Sequence, residues 1–307
     1  MLAWQAEMQR AMLQTARTME IVGTAAGAPV GQTPKEVIWQ RGTAQLYRYC
    51  RTSPARHPVP LLMVHSLVTK SYILDLIPGN SFVEYLLGQG FDVYLIDWGT
   101  PGPEDRALRL EDYTLDLLPA AIDVVLETAA ASALSLFGYC MGGLLALLYA
   151  ATHPDGPLRN LVTLATPVDF HQLGLQSVWS RAATFDVDKL VDTHGNVPAA
   201  LIRQAFQFLK PASSFGPVKY MNLWQNALDD KYVAQHRAFD QWNNDHIPFP
   251  GECFRQTHKD LLVGNKLRSG ELELGGEPVQ LERISCSFLA VAAARDHIVP
   301  LAATELL

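Results

Sequence analysis

From Thr128 to Thr152 the chain carries no charged residue, a stretch long enough to cross a bilayer as one helix. Three glycines, Gly138, Gly142 and Gly143, interrupt it near the middle. Glycine supplies backbone freedom and room at a sharp turn, and it weakens a continuous helix. The stretch therefore reads as a strand (Ala133 to Phe137), a turn, and a helix (Leu144 to Ala151), all buried in a core, and not as a membrane span. Few chains can bury such a unit except by laying the strand in a parallel sheet with the helix across it.

Other short apolar runs have the same character. Leu61 to His65, Val93 to Asp97, Leu161 to Ala165 and Ser287 to Ala292 each read as a strand buried on both faces. Between the earlier ones lie helical stretches. Ser81 to Leu87 puts Phe82, Tyr85 and Leu86 on one side, and Leu115 to Ala130 runs Leu117, Leu118, Ile122, Val125 and Leu126 along a stripe. This alternation predicts an α/β fold, a mostly parallel sheet with helices on both faces. After Phe170 it stops. Up to about Gly276 the chain is rich in aromatics and prolines, with no clear strand. Two arrangements fit: a helical cap inserted over the carboxyl ends of the strands, or a separate helical domain. The first divides the chain into a core, 1–170 and 276–307, and a cap insertion, 171–275.

The turn itself, Gly138-Tyr139-Cys140-Met141-Gly142-Gly143, has the G-x-nucleophile-x-G pattern. A nucleophile held above the sheet in a strained turn needs neighbours without bulk two residues to either side. The first amides of the following helix would lie beneath the Cys140 thiol, where their positive end favours a thiolate, and the Met141 N–H would meet an oxyanion. The other reading is a buried structural cysteine, since cysteine behaves as a small hydrophobe. The loop after the first buried strand, His65 to Lys70, is placed to give a second oxyanion N–H near Val68. The His65 side chain reads as a satisfied polar residue at the strand end. Asp296 follows the last apolar run, 156 residues after Cys140 (296 − 140). It is either the acid partner of the nucleophile or a plain surface aspartate.

Composition removes other classes. Apolar residues make up 49% of the 307 and charged residues 18%, which suits a large core and excludes a disordered chain. The net charge of −7 disfavours a nucleic-acid-binding surface. Cys50, Cys140, Cys253 and Cys286 show neither metal-ligand spacing nor a disulfide framework, so no metal is expected and a reducing cytoplasm suits them. Met1 to Glu20 reads as a helix carrying Glu7, Arg10 and Arg17, without the apolar run of a signal peptide.

Seven segments in order carry a specific resemblance: Thr33 to Val37, Lys70 to Leu76, Tyr94 to Gly99, Gly138 to Gly143, Ala165 to Phe170, Trp242 to Asp245, and Asp296 to Pro300. Over nearly its whole length the chain resembles the catalytic subunit of polyhydroxyalkanoate synthases, most closely the short type that works with a second subunit. The resemblance implies an α/β-hydrolase fold with a cap. It implies an acyltransferase that polymerises (R)-3-hydroxyacyl-CoA into a polyester and releases CoA, with no cofactor beyond that substrate. Cys140 matches the acyl-carrying nucleophile, and Asp296 matches the aspartate that orients a histidine or activates the incoming 3-hydroxyl. Trp242 and Asp245 match the family's cap motif, a structural or channel-lining element, and His297 matches the residue after the aspartate, while Thr69 and Tyr139 are further candidates to line the site. A homodimer, a second synthase subunit, and a cytoplasmic location at the polyester granule surface are implied as well.

Two departures stand out. Thr69 occupies a position where the family often has asparagine, which leaves a backbone donor possible but removes an amide side chain. The family's general-base histidine follows one more strand after the aspartate, and this chain ends at Leu307, so the last strand, its helix and that histidine are expected to be missing here. Of the nine histidines (57, 65, 153, 171, 194, 236, 246, 258 and 297), only His65 and His297 fall on loops at the catalytic face. His297 adjoins Asp296, and neighbouring side chains on an extended segment point apart, which makes it an awkward base. Cysteine in the turn favours transfer between thioesters, because the bound acyl group stays activated. The alternatives are a thioesterase or polyester depolymerase on the same fold, or a catalytically incomplete homologue.

Overall fold

The computed structural model of the chain describes residues 2–24, 27–51, 54–182, 184–209 and 217–305. Its strands are β1 (Lys35–Arg41), β2 (Ala44–Tyr49), β3 (Leu61–Val64), β4 (Val93–Asp97), β5 (Leu134–Tyr139), β6 (Leu158–Leu164), β7 (Glu273–Leu274), β8 (Glu277–Pro278) and β9 (Ser287–Val291). Seven of them form one sheet in the order β1-β2-β4-β3-β5-β6-β9. From β4 to β9 every pairing is parallel, while β2 runs antiparallel to β4 and to β1. All five apolar runs are strands. β3 and most of β4 are buried along their length, which is why they read as unbroken hydrophobic runs.

The β1–β2 hairpin escapes that reading for a physical reason. β1 has no fully buried residue, and its register shifts between Val37 and Trp39, so no clean alternation survives in the sequence. β7, paired with β8 just beyond Gly276, corrects the expectation of no strand before Gly276. They are two residues each, joined by Gly275 and Gly276, both with positive φ, as a two-residue hairpin turn requires.

Two helices flank the early strands. The first, α2 (Phe82–Gln89), is capped by Ser81, whose hydroxyl accepts the Glu84 N–H, and is closed by Gly90 at φ 91°. The second, α3 (Leu118–Ala129), starts three residues later than expected, after a π-helical turn over Asp112–Leu117. Pro119 explains the offset, because it lacks an N–H for the carbonyl four residues back. The uncharged stretch becomes β5 and α4 (Met141–Thr152), and no helix among the described residues is long and apolar enough to cross a membrane.

Between β6 and β9 lie α5 (Leu175–Ser180), α6 (Val187–His194), α7 (Ala199–Leu209), α8 (Pro217–Gln225), α9 (Asp230–Asn244), α10 (Gly251–Gln256) and α11 (Lys266–Ser269). One apolar cluster runs from the sheet into this insertion without a break. It joins Leu62, Leu136 and Leu145 to Val191, Ile202, Phe249, Cys253 and Leu261. The N-terminal helix α1 (Leu2–Gly23) packs Ile21 against Leu223, Ala227 and Val233 of the insertion. At the far edge of the sheet all five residues of β9 are exposed, which corrects the expectation that Ser287 to Ala292 is buried on both faces: β9 pairs with β6 alone among the described strands.

Candidate active site

Cys140 sits between β5 and α4 at φ 55°, ψ −120°, a strained conformation for a residue with a side chain. Three contacts hold it there. Its N–H donates to the Leu164 carbonyl at 2.8 Å, and its own carbonyl accepts from the Gly143 N–H at 3.0 Å and from the Thr166 hydroxyl at 3.2 Å. The glycines are required by close approach. A Cβ on Gly138 would lie 2.3 Å from the Gly143 Cα, and one on Gly142 would lie 2.1 Å from the Val64 carbonyl oxygen. The turn is therefore pressed directly against the end of β3, and the loop leaving β3 lies beside Cys140.

That loop is built rigidly from below. The Trp98 indole N–H donates to the His65 carbonyl at 2.8 Å, and the Ser71 hydroxyl bonds the Asp97 carboxylate. His65 is buried, and its Nε2–H donates to the Thr69 carbonyl at 3.1 Å. Its Nδ1 has no partner, and burial holds its pKa down at about 4, so the ring is neutral. His65 is thus a brace inside the loop, stacked 5.9 Å from the Tyr139 ring.

Two chambers open onto Cys140. One, of about 410 Å³, is also lined by Tyr139, Val68, Thr69, Trp242 and His297, together with polar residues of α8, α9 and the segment beyond them, among them Asn222, His236, Asn243 and His246. The other, of about 510 Å³, is almost wholly apolar and includes Met141, Leu144, Leu173, Trp179, Phe249 and Phe254. Ser66, Val68, Cys140, Phe206 and Ile298 border both. The structure thus brings six expected positions, Cys140, Val68, Thr69, Tyr139, Trp242 and His297, to one chamber, with Met141 on the other.

Asp296 lines neither chamber. Its Oδ1 accepts the N–H groups of Ile298 (2.8 Å) and Val299 (3.0 Å), which fixes it in its own loop, and its charge reaches Cys140. Sequence reasoning did not single out Phe206, His236, His246 or Ile298. Only ring chemistry marks Phe206, His236 and His246, whose places are set by α7, α9 and the segment beyond α9, and Ile298 is marked only by following Asp296 and His297.

The thiol behaves differently from expectation. Burial pushes Cys140 up to about 11, the Met141 N–H bonded to it pulls the other way, and the Asp296 carboxylate adds to the rise. The helix end was expected to favour a thiolate. One amide hydrogen bond does not offset the loss of water around the charged form. Burial likewise lowers His246 and His236, so both imidazoles are neutral at pH 7. No group of three or more His, Cys, Asp or Glu side chains among the described residues could hold a metal ion.

Comparison with known proteins adds to this geometry. The alpha/beta hydrolase fold family matches residues 59–307, and the family described as the poly-beta-hydroxybutyrate polymerase (PhaC) N-terminus matches residues 5–86. The poly(3-hydroxyalkanoate) polymerase subunit PhaC of Allochromatium vinosum is 39% identical over 285 residues, covering 92% of this chain and 79% of that one. The protein of the same name from Synechocystis sp. is 36% identical, covering 88% and 72%. The one from Haloferax mediterranei is 34% identical, covering 94% and 58%.

Proposed function

The chain belongs to the poly(3-hydroxyalkanoate) polymerase (PhaC) family, and from that premise we propose that it polymerises (R)-3-hydroxyacyl groups from coenzyme A through a thioester on Cys140. The observation that carries this reading is the position of Cys140: a strained turn at the junction of two chambers, one with polar side chains in part of its lining and one almost wholly apolar. An acyl-CoA has the same division, with a polar pantetheine arm on one side of the thioester and an apolar chain on the other.

In this reaction the Cys140 sulfur attacks the thioester carbonyl while its proton passes to a base. The oxyanion is met by the Met141 and Val68 N–H groups, and the C–S bond to CoA breaks, CoA leaving as the thiol once it takes a proton. The exchange of one thioester for another is nearly balanced, so the acyl group stays activated. The 3-hydroxyl of the next unit then attacks it, the C–S bond to Cys140 breaks as the hydroxyl oxygen becomes the ester oxygen, and the hydroxyl proton is passed on to the departing sulfur, which returns the Cys140 thiol. A thiol pushed up to about 11 is protonated at neutral pH, so deprotonation accompanies attack rather than preceding it. The apolar chamber accommodates acyl and polyester chain and keeps water, the competing nucleophile, away. Asp296, held by two amides, acts on the proton-accepting group or on the incoming hydroxyl. No cofactor enters. A homodimer, a second synthase subunit and a place at the polyester granule surface in the cytoplasm complete the reading, supported by the family resemblance.

The test is incubation with (R)-3-hydroxybutyryl-CoA while free CoA, 3-hydroxybutyrate and polymer are followed. CoA release with polymer is expected. CoA with 3-hydroxybutyrate and no polymer would replace the synthase reading by a thioesterase. Cys140→Ala should abolish covalent acyl labelling, and labelling that persists at another residue would reject the nucleophile.

A further inference from the structure

The cap does more than cover the site. Three residues at and beyond the carboxyl end of α9, Trp242, His246 and Ile247, touch the backbone of the loop after β3, and Asp245 is bonded by a side chain that follows the loop. The Trp242 indole N–H donates to the Lys70 carbonyl at 3.0 Å. His246 and Thr69 form an isolated antiparallel bridge, and the Ile247 N–H donates to the Val68 carbonyl at 3.4 Å. The Tyr72 hydroxyl donates to Asp245 Oδ2 at 3.1 Å. Ala238 and Trp242 pack with Leu76 and Ile77 beneath these bonds.

The loop is thus held from two sides. The core side grips it through His65 and Ser71, as described above. The cap side takes the Val68 and Lys70 carbonyls. Fixing the Val68 and Lys70 carbonyls fixes the Val68–Thr69 and Lys70–Ser71 peptide planes, so the Val68 Cα is held and the plane carrying the Val68 N–H is left only rotation about the backbone bonds of that Cα. A donor aimed at a developing oxyanion must be placed before the reaction, and a small displacement of it is costly.

We propose that Trp242 and Asp245 are positioning residues that hold the loop at Val68 in donating geometry, so that oxyanion stabilisation depends on the docking of the cap. This rests on the reading of Val68 as an oxyanion donor to an acyl group carried by Cys140. Trp242 borders the chamber that holds His236 and His246, but its indole N–H is spent on the Lys70 carbonyl.

The experiment compares wild type with Trp242→Phe, which keeps an aromatic ring and removes the N–H, and with Tyr72→Phe, which removes the hydroxyl bonded to Asp245. Three quantities are read on the full chain: the acylation rate with (R)-3-hydroxybutyryl-CoA, the alkylation rate of Cys140 by iodoacetamide, and hydrogen exchange at the amides of residues 67–70. Alkylation has no oxyanion and does not need the donor. The expected result is acylation slowed about ten- to a hundredfold, mainly in kcat and little in KM. Alkylation stays within about twofold, and exchange at 67–70 is faster. Acylation and alkylation falling together, or exchange left at the wild-type rate, overturns the proposal. Should Trp242→Phe fail to fold, Tyr72→Phe alone decides by the same criteria. A wild type that is never acylated would instead sink the functional reading, and hydrogen exchange would then decide the clamp by itself.

Discussion

Titrating Cys140 by its own reactivity probes the balance of forces in the turn. Burial and Asp296 push the thiol up to about 11 from the ordinary 9, against the pull of the Met141 N–H. Two pH units separate the values (11 − 9), and each is a factor of ten in thiolate, so at pH 8 Cys140 carries about a hundredfold less thiolate than an ordinary thiol. Iodoacetamide reacts with the thiolate alone, and mass spectrometry resolves the Cys140 peptide. The rate should climb about tenfold per pH unit through pH 9 and level only near 11. Restricted access from the chamber scales the whole profile and leaves its midpoint in place, so the midpoint is the decisive quantity. Asp296→Asn removes a negative charge that disfavours the thiolate, and the midpoint should move down. A wild-type midpoint at 9 or below would refute the dominance of burial. An upward shift in Asp296→Asn would refute the sign given to that charge.

Acid sensitivity provides a second test. His65 is held at about 4 by burial, against about 6.5 in an unfolded chain. The unfolded state binds a proton that the folded state refuses, so this contribution is complete above pH 6.5. It is lost as pH falls towards 4, by about 3 kcal/mol. Urea melts should show wild type losing that much more on acidification than His65→Gln, and parallel losses would refute the assignment. For the glycines, Gly143→Ala places a Cβ 1.9 Å from Thr166 Oγ1, a side-chain clash, whereas Gly142→Ala meets the Val64 carbonyl. Each should cost at least about 1–3 kcal/mol by denaturant unfolding. Thr166→Ala should restore part of the loss for Gly143→Ala and none for Gly142→Ala, so equal rescue would refute the packing account. Buried Asp75 accepts from the Thr33 N–H and hydroxyl and from the Ser81 hydroxyl. Asp75→Ala strands these donors and should destabilise by about 2–3 kcal/mol, and a loss below about 0.5 kcal/mol would show that water replaces the carboxylate.

What could be read from sequence follows from how local each constraint is. The turn at Gly138–Gly143 was legible because its glycine pattern falls within six residues, although the clashes that require Gly142 and Gly143 come from Val64 and Thr166, outside the turn. The central strands were legible because burial on both faces leaves an unbroken apolar run, whereas half-exposed β1 with its bulge left no pattern. Asp296 was placed by its position after the last strand, and its distance from the chamber lining could not be foreseen. The thiol's upward shift was missed for a related reason. The helix amide that favours the thiolate is a sequence neighbour, while the residues gathered around Cys140 come from the loop after β3, from α7 and from the Ile298 loop. The meeting of the cap with the loop after β3 joins residues more than 170 positions apart, at Trp242 and Lys70. Sequence by itself determined the turn, the five parallel strands and the identity of the nucleophile candidate, because those are written in contiguous residues. Tertiary structure alone decided the two chambers, the protonation of the thiol and the grip of the cap on the loop, because each depends on surfaces from distant segments closing over the same few atoms.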